Sequence, residues 1–268
     1  MPNPNLSEEF LRLVKIVQTL RGSHGCEWDR AQTHQSLIPY LLEEAYEVIE
    51  SIDEGNPEKL KEELGDLLLH IVFQASLAED QQKFQLQDSI RNISDKLVRR
   101  HPHVFGDVTV KNVAEIKQNW EEIKLKEGRK SLMDGLPKTL PALLQAQRVQ
   151  LRASEVGFDW DEIGDVWAKV HEEIDELKEA VESENHEAIR DEFGDLLFSL
   201  VNLSRFLNVN TEESLRHTIK KFVRRFRSVE EQLQQRGKSF RESNLSEMDS
   251  LWDNCKAAEK QDNPASTD

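Results

Sequence analysis

Eight acidic residues of this 268-residue chain fall into two sets of four: Glu44, Glu47, Glu63 and Asp66, then Glu173, Glu176, Glu192 and Asp195. Each set reads Glu-x-x-Glu followed by Glu-x-x-Asp, and 19 residues separate Glu44 from Glu63 as they separate Glu173 from Glu192. On a helix, residues three apart share a face, with Cβ atoms roughly 5–6 Å apart. Each pair therefore aims two carboxylates in one direction. Four convergent carboxylates repel one another, and a hard divalent cation relieves that repulsion. An all-oxygen set selects Mg2+ or Mn2+ over zinc. Magnesium so held shares its shell with substrate phosphates, offsets charge on a phosphoryl group in transfer and acidifies a bound water. A carboxylate not committed to the metal can orient that water as general base. Di-iron chemistry is disfavoured. Its bundles use Glu-x-x-His on inward faces, and none of the eight histidines has Glu three positions before it.

The elements that carry these acids read as helices, and the whole chain as all-α. Glycine and proline are few and cluster between periodic segments, and strand signals are brief. Residues 52–57 and 183–186 supply turns, so each acidic pair is expected on one arm of an antiparallel helical hairpin. Leu67, Leu68, Leu69, Ile71 and Val72 follow Asp66, and Leu196, Leu197, Phe198, Leu200 and Val201 follow Asp195. Helices apolar over most of their circumference are expected to be buried. Carboxylates rooted in them are costly unless paired or metal-bound.

The duplication extends beyond the acids. Lys96-Leu-Val-Arg-Arg100 returns as Lys221-Phe-Val-Arg-Arg225, Trp120-Glu-Glu-Ile-Lys124 as Trp252-Asp-Asn-Cys-Lys256, and Trp28-Asp29 as Trp160-Asp161. The offsets are 129 for the acidic blocks, 125 for the basic block and 132 for the tryptophan blocks, a drift that short loop indels produce. Two tandem homologous helical domains are expected, residues 1–125 and 140–258, joined by a linker over 126–139 and followed by a disordered tail over 259–268. Lys221, Arg224 and Arg225 then have a purpose in countering phosphate charge, Arg bidentately. Trp252 is suited to stack on a base and Lys256 to reach a phosphate. Trp120 reads as a core anchor, and Trp28 and Trp160 read as packing or as base contacts.

A net charge of -16 repels polyphosphate backbones and argues against duplex nucleic acid as a partner. Two cysteines, Cys26 and Cys255, imply neither a disulfide framework nor a zinc site. The N-terminal residues lack the pattern of a signal peptide, and no apolar run approaches a membrane span, so a soluble cytoplasmic protein is expected.

At the acidic blocks the chain resembles the MazG family of nucleoside triphosphate pyrophosphohydrolases, whose pattern is E-E-x-x-E followed by E-x-x-D. Both copies stand here, as Glu43-Glu44-Ala-Tyr-Glu47 with Glu63-Leu-Gly-Asp66, and as Glu172-Glu173-Ile-Asp-Glu176 with Glu192-Phe-Gly-Asp195. The resemblance includes Arg100-His-Pro-His-Val-Phe105, Leu140-Pro-Ala-Leu143 and Val156-Gly-Phe-Asp-Trp160, and covers almost the whole chain as a two-domain bacterial member. It implies an all-α homodimer that uses Mg2+ to cleave the α–β phosphoanhydride of canonical and aberrant NTPs and dNTPs, giving a nucleoside monophosphate and pyrophosphate. It also implies that the C-terminal half is the main catalyst. Metal ligation then falls to Glu173, Glu176, Glu192 and Asp195, with Glu44, Glu47, Glu63 and Asp66 as a second site. Nucleotide contacts fall to Lys221, Arg224, Arg225, Trp252 and Lys256. Two positions depart from the family pattern. A lysine before the second acidic block is Ala188 here, with Arg190 nearby, and Cys-Pro-Trp-Asp is Cys26-Glu-Trp-Asp29. Two other readings are a nucleotide-sensing module that binds without turnover, above all in the N-terminal half, and a purely structural helical scaffold.

Overall fold

The computed structural model describes residues 4–112, 115–116, 119–120, 123–124, 127 and 131–262. The chain splits into two compact units, Met1–Trp120 and Glu121–Asp268. The first holds α1 (Pro4–Arg21), α2 (Glu27–Ala31), α3 (Ile38–Asp53), α4 (Pro57–Asp80), α5 (Leu86–Arg100) and α6 (Pro102–Phe105). The second holds α7 (Ala142–Ser154), α8 (Ile163–Glu182), α9 (His186–Phe206), α10 (Thr211–Gln235), a 3-10 turn (Phe240–Glu242) and α11 (Leu245–Asp262). Among the described residues helix is the regular structure, as the sequence predicts. No helix among them is long and apolar enough to cross a membrane.

The hairpin arms are α3 with α4 and α8 with α9, which pack along each other. Their turns are built alike. Asn56 and Asn185 cap α4 and α9, each Oδ1 accepting from two backbone N–H groups, at 3.2 Å from Glu58 and Lys59 and at 3.2 and 3.3 Å from Glu187 and Ala188. Such a cap satisfies donors that the first turn leaves orphaned. The residue before each cap lies in the left-handed region, Gly55 at φ 61° and Glu184 at φ 54°. Glycine takes that conformation without a Cβ penalty, whereas an L side chain costs about 1–2 kcal/mol. Glu184→Gly is therefore expected to stabilise the second unit by roughly 0.5–1 kcal/mol once glycine's extra unfolded-state entropy is subtracted. Urea denaturation checks it, and a lower midpoint for the variant contradicts it.

One face of each hairpin is buried. In the first unit Val17, Leu37, Val72, Phe73 and Leu77 form a core that Phe10, Leu13 and Leu69 flank. In the second, Val166, Val170 and Leu203 pack with Ile174, Leu196 and Phe206. A separate cluster of Val229, Leu233, Leu251 and Cys255 joins α10 to α11. Fully burying each such side chain contributes about 1.5–3 kcal/mol.

The expectation that α4 and α9 are buried nearly all round is corrected. Leu64, Leu68 and Ile71 on α4, and Phe193, Leu197 and Leu200 on α9, are exposed in the single chain. Three further expectations change. The segment from residue 131 is held on the second unit, because Arg152 Nη1 donates to the carbonyls of Leu132 at 2.8 Å and Asp134 at 2.9 Å. Much of the expected linker therefore belongs to that unit; residues 126 and 128–130 lie outside the described residues. The C-terminal helix runs through Asp262, into the stretch expected as a disordered tail, and Glu259 within it is anchored by two arginines. The rest of the expected tail, 263–268, lies outside the described residues. Trp120 is exposed and sits 5.8 Å from His101, not in a core.

Candidate active site

In the second unit α8 supplies Glu173 and Glu176, and α9 supplies Glu192 and Asp195 from the facing arm. The hairpin brings a carboxylate oxygen of each of Glu173, Glu176 and Glu192 within 4.8 Å of the other two. Glu173 is 4% exposed. Desolvation, then the charges of Glu173 and Glu192, push the Glu176 carboxyl above its ordinary value. Lys169, one turn before Glu173 on α8, places Nζ 2.7 Å from both Glu172 and Glu173. Hydrogen bonds to these two, Glu172 first, raise its ammonium well above its ordinary value. The donors are all carboxylate oxygens, closely spaced and mutually repelling, which fits a hard divalent cation. Asp195 lies outside this tight group and lines an adjoining pocket together with Glu173.

The first unit repeats the arrangement with a different trio. Glu44, Glu63 and Asp66 bring oxygens within 4.8 Å of one another. Glu47 is outside the trio, though its charge contributes to raising both Glu44 and Glu63. Desolvation is the largest cause of the shift at each, followed by Asp66 at Glu44 and by Glu47 at Glu63.

The pocket beside the second carboxylate group has a volume of about 530 Å³. Val149, Ala153, Phe158, Trp160, Val166 and Phe198 give it apolar walls, and Met133 from the pinned segment joins them. Gln150, Ser199 and Asn202 are buried polar residues in its lining. Arg205 also lines it and is held by Asp159, through Nη1 to Oδ2 at 2.8 Å and a second contact from Nη2 to Oδ1. Asn202 Oδ1 accepts from the same guanidinium at 2.8 and 3.2 Å.

Sequence reasoning missed Gln150, Asp159, Lys169, Asn202 and Arg205. For Lys169, Asn202 and Arg205 the signal was a difference between the halves, not a likeness. At the 129-residue offset of the acidic blocks, Asn202 falls on Phe73, Arg205 on Ser76 and Lys169 on Tyr40. Phe73 is buried in the first core with the Arg21 guanidinium 5.3 Å from its ring centroid. The position that is polar and pocket-lining in one unit is thus apolar and packed in the other.

The expected nucleotide-binding residues Lys221, Arg224, Arg225, Trp252 and Lys256 lie on α10 and α11, and none lines this pocket. One carboxylate, Glu259, takes both arginines, with Arg224 Nη2 and Arg225 Nη2 each at 2.6 Å from a different oxygen. That pairing, Arg225 foremost, holds Glu259 below its ordinary value. Lys256 pairs with Asp253 at 3.1 Å. Trp252 packs against the α10–α11 core, 5.1 Å from the Phe222 ring and 5.7 Å from the Arg225 guanidinium carbon. Ala188, at the position of the family lysine, contributes only its backbone N–H to the Asn185 cap.

The MazG nucleotide pyrophosphohydrolase domain matches residues 32–105 and 161–229, which span both carboxylate groups. A nucleoside triphosphate pyrophosphohydrolase/pyrophosphatase MazG from Thermotoga maritima is 47% identical over 94% of this chain and 97% of its own length. A nucleoside triphosphate pyrophosphohydrolase from Escherichia coli is 43% identical over 92% of this chain and 97% of its own. An uncharacterized protein from Bacillus subtilis, YabN, is 46% identical over 95% of this chain, which covers 53% of that longer protein. With its domain matched over two segments and more than nine-tenths of its length shared with two such proteins, the chain belongs to the MazG nucleotide pyrophosphohydrolase family.

Proposed function

We propose that the second unit hydrolyses nucleoside triphosphates between the α and β phosphates, releasing pyrophosphate and a nucleoside monophosphate. One observation carries this reading: three carboxylates packed within 4.8 Å of one another stand at the edge of a pocket that shares Glu173 with them. The printed names of the T. maritima and E. coli relatives support it. Glu173, Glu176 and Glu192 would hold Mg2+, or Mn2+ in its place. That ion supplies charge neutralisation for the triphosphate and an acidified water. Asp195, outside the tight group, keeps lone pairs with which to orient the attacking water and accept its proton. Ribo- and deoxyribonucleotides of all bases are substrates, as suits housecleaning of the nucleotide pool or its control under stress.

Two features favour a homodimer. The exposed apolar residues of α9 leave that helix with an uncovered face. On α10, Leu215, Ile219, Phe222, Val223 and Phe226 are also exposed, at spacings that share one helix face. A contiguous stripe of this kind marks an interaction surface.

The first unit supports a second reading, nucleotide binding without turnover. It keeps a carboxylate trio, but Phe73 and Ser76 stand where the second unit has Asn202 and Arg205. The test is incubation with ATP, CTP, GTP, UTP and the four dNTPs plus Mg2+, with pyrophosphate and orthophosphate measured separately. Pyrophosphate and monophosphate in equal amounts are expected. Orthophosphate without pyrophosphate contradicts the reading. Glu44→Ala in the whole chain is expected to leave pyrophosphate release within about twofold of wild type, since it removes an acid from the unit read as non-catalytic.

A further inference from the structure

We infer that residues 131–134 form a strap that completes the wall of the pocket beside the second carboxylate group, and that Arg152 is the positioning residue that holds it there. This rests on the reading of the second unit as a triphosphate hydrolase. It adds a part of the site that neither matched stretch of the family domain contains, since the strap and Arg152 both fall between residues 105 and 161.

The strap is a turn fastened by its own polar groups. Asp134 Oδ2 accepts from the Ser131 N–H at 2.9 Å, and Ser131 Oγ accepts from the Met133 N–H at 3.1 Å. The Asp134 N–H donates to the Ser131 carbonyl at 3.1 Å. Side-chain bonds of this kind give a short segment a defined shape without a helix or strand. The carbonyls of Leu132 and Asp134 are both taken by Arg152 Nη1, from the last turn of α7. Bonds from a guanidinium are charge-assisted and roughly twice as strong as neutral ones. The turn's shape is therefore local, whereas Arg152 ties its position to α7.

That position is at the pocket. Met133 stands between the two captured carbonyls and lines the cavity, together with Val149 and Ala153, which flank Arg152 on α7. Glu173 and Asp195 belong to the same lining, so a ligand reaching the carboxylates enters a cavity that Met133 helps to bound. Met133 is 40% exposed and keeps apolar surface for an occupant to cover. Its unbranched thioether adapts to the shape it meets. A strap released from Arg152 would complete the wall only part of the time. Apparent affinity falls in proportion to the population of the binding-competent state. Arg152 therefore acts on KM and not on the chemistry of bound substrate.

In the whole chain, Arg152→Ala is expected to raise KM for ATP about tenfold, as follows when the held position drops to about a tenth of the population, with a far smaller change in kcat. Arg152→Lys, whose ammonium can still donate to both carbonyls, should recover most of that loss. A residue that merely supports the fold would lower the melting temperature and leave KM where it was. An unmoved KM in folded Arg152→Ala, or a loss confined to kcat, overturns the inference. A second measurement does not depend on that variant folding. Met133→Cys in a Cys26→Ser background puts its new thiol on the strap, and the remaining cysteine, Cys255, is buried. Its reaction with a maleimide is expected to slow about tenfold when α,β-methylene-ATP and Mg2+ are present at about ten times the analogue's Kd, the reciprocal of the unoccupied fraction. Equal labelling rates, at analogue concentrations that raise the same variant's melting temperature, place Met133 away from bound nucleotide and overturn the inference. A wild type that releases no pyrophosphate from any nucleotide removes the hydrolase reading itself, a different failure from an unmoved KM in an active enzyme.

Discussion

Glu176→Gln is expected to lower pyrophosphate release at least about a hundredfold, since loss of residues that merely support a metal ligand already costs about 10–100-fold. The same change is expected to leave the metal-free protein as stable as the wild type or more so. The reason is the electrostatics of the hairpin. Glu176 shares a space of 4.8 Å with Glu173 and Glu192, and desolvation and their charges hold its carboxyl above the ordinary range. A neutral amide of the same shape removes one repelling charge and keeps the packing of α8. A structural acid would behave in the opposite way, with stability and activity falling together. Activity above a tenth of wild type, or a clear drop in metal-free melting temperature, contradicts the assignment.

The second large effect is a metal-dependent gain in melting temperature that exists at neutral pH and fades in acid. A carboxyl raised in the folded state binds more protons there than in the unfolded chain. Stability of the metal-free protein therefore falls as pH rises through the window above about 4.5, the ordinary value for these groups. Above that window Glu44, Glu63 and Glu176 are ionised at a cost that a divalent cation relieves. At a hundredfold excess of Mg2+ over its Kd the gain is about 2.7 kcal/mol, or roughly 5–10 °C for a unit of this size. Near pH 4.5 the raised carboxyls of Glu44, Glu63 and Glu176 are mostly protonated, each group loses ligands for the ion and the gain should shrink sharply. Scanning calorimetry with and without Mg2+ at pH 7.5 and 4.5 checks both ends. An equal gain at both values, or none at pH 7.5, rules out the carboxylate groups as its source.

The hairpins and their acids were legible because both rest on local rules. Spacing of three sets a helix face, turn residues over 52–57 and 183–186 separate the arms, and duplication separates a meaningful Glu-x-x-Glu from a charged surface. Three parts of the fold were not legible. Apolar content around α4 and α9 does not say which face is covered within one chain, and only part of it is. The segment from residue 131 has the composition of a linker, yet two backbone carbonyls captured by Arg152 tie it down. The pocket was hidden because its residues come from α7, α8, α9 and a loop, with no spacing that repeats. Gln150 is buried, while its counterpart 132 positions earlier, Gln18, is exposed. Identity of residue type is thus no guide to which of the two faces a cavity.

The clasp of Arg224 and Arg225 on Glu259 bears on the rate at which that surface can exchange partners. Two long side chains, each with large rotamer freedom, are immobilised during folding and not at the moment of encounter. An anion arriving at this surface meets guanidinium forks whose planes are already set, and it must compete with a carboxylate tethered beside them at high effective concentration. The clasp thus sets beside the two arginines a carboxylate that any incoming anion has to displace, and it is built from a residue that lies outside both matched stretches of the family domain.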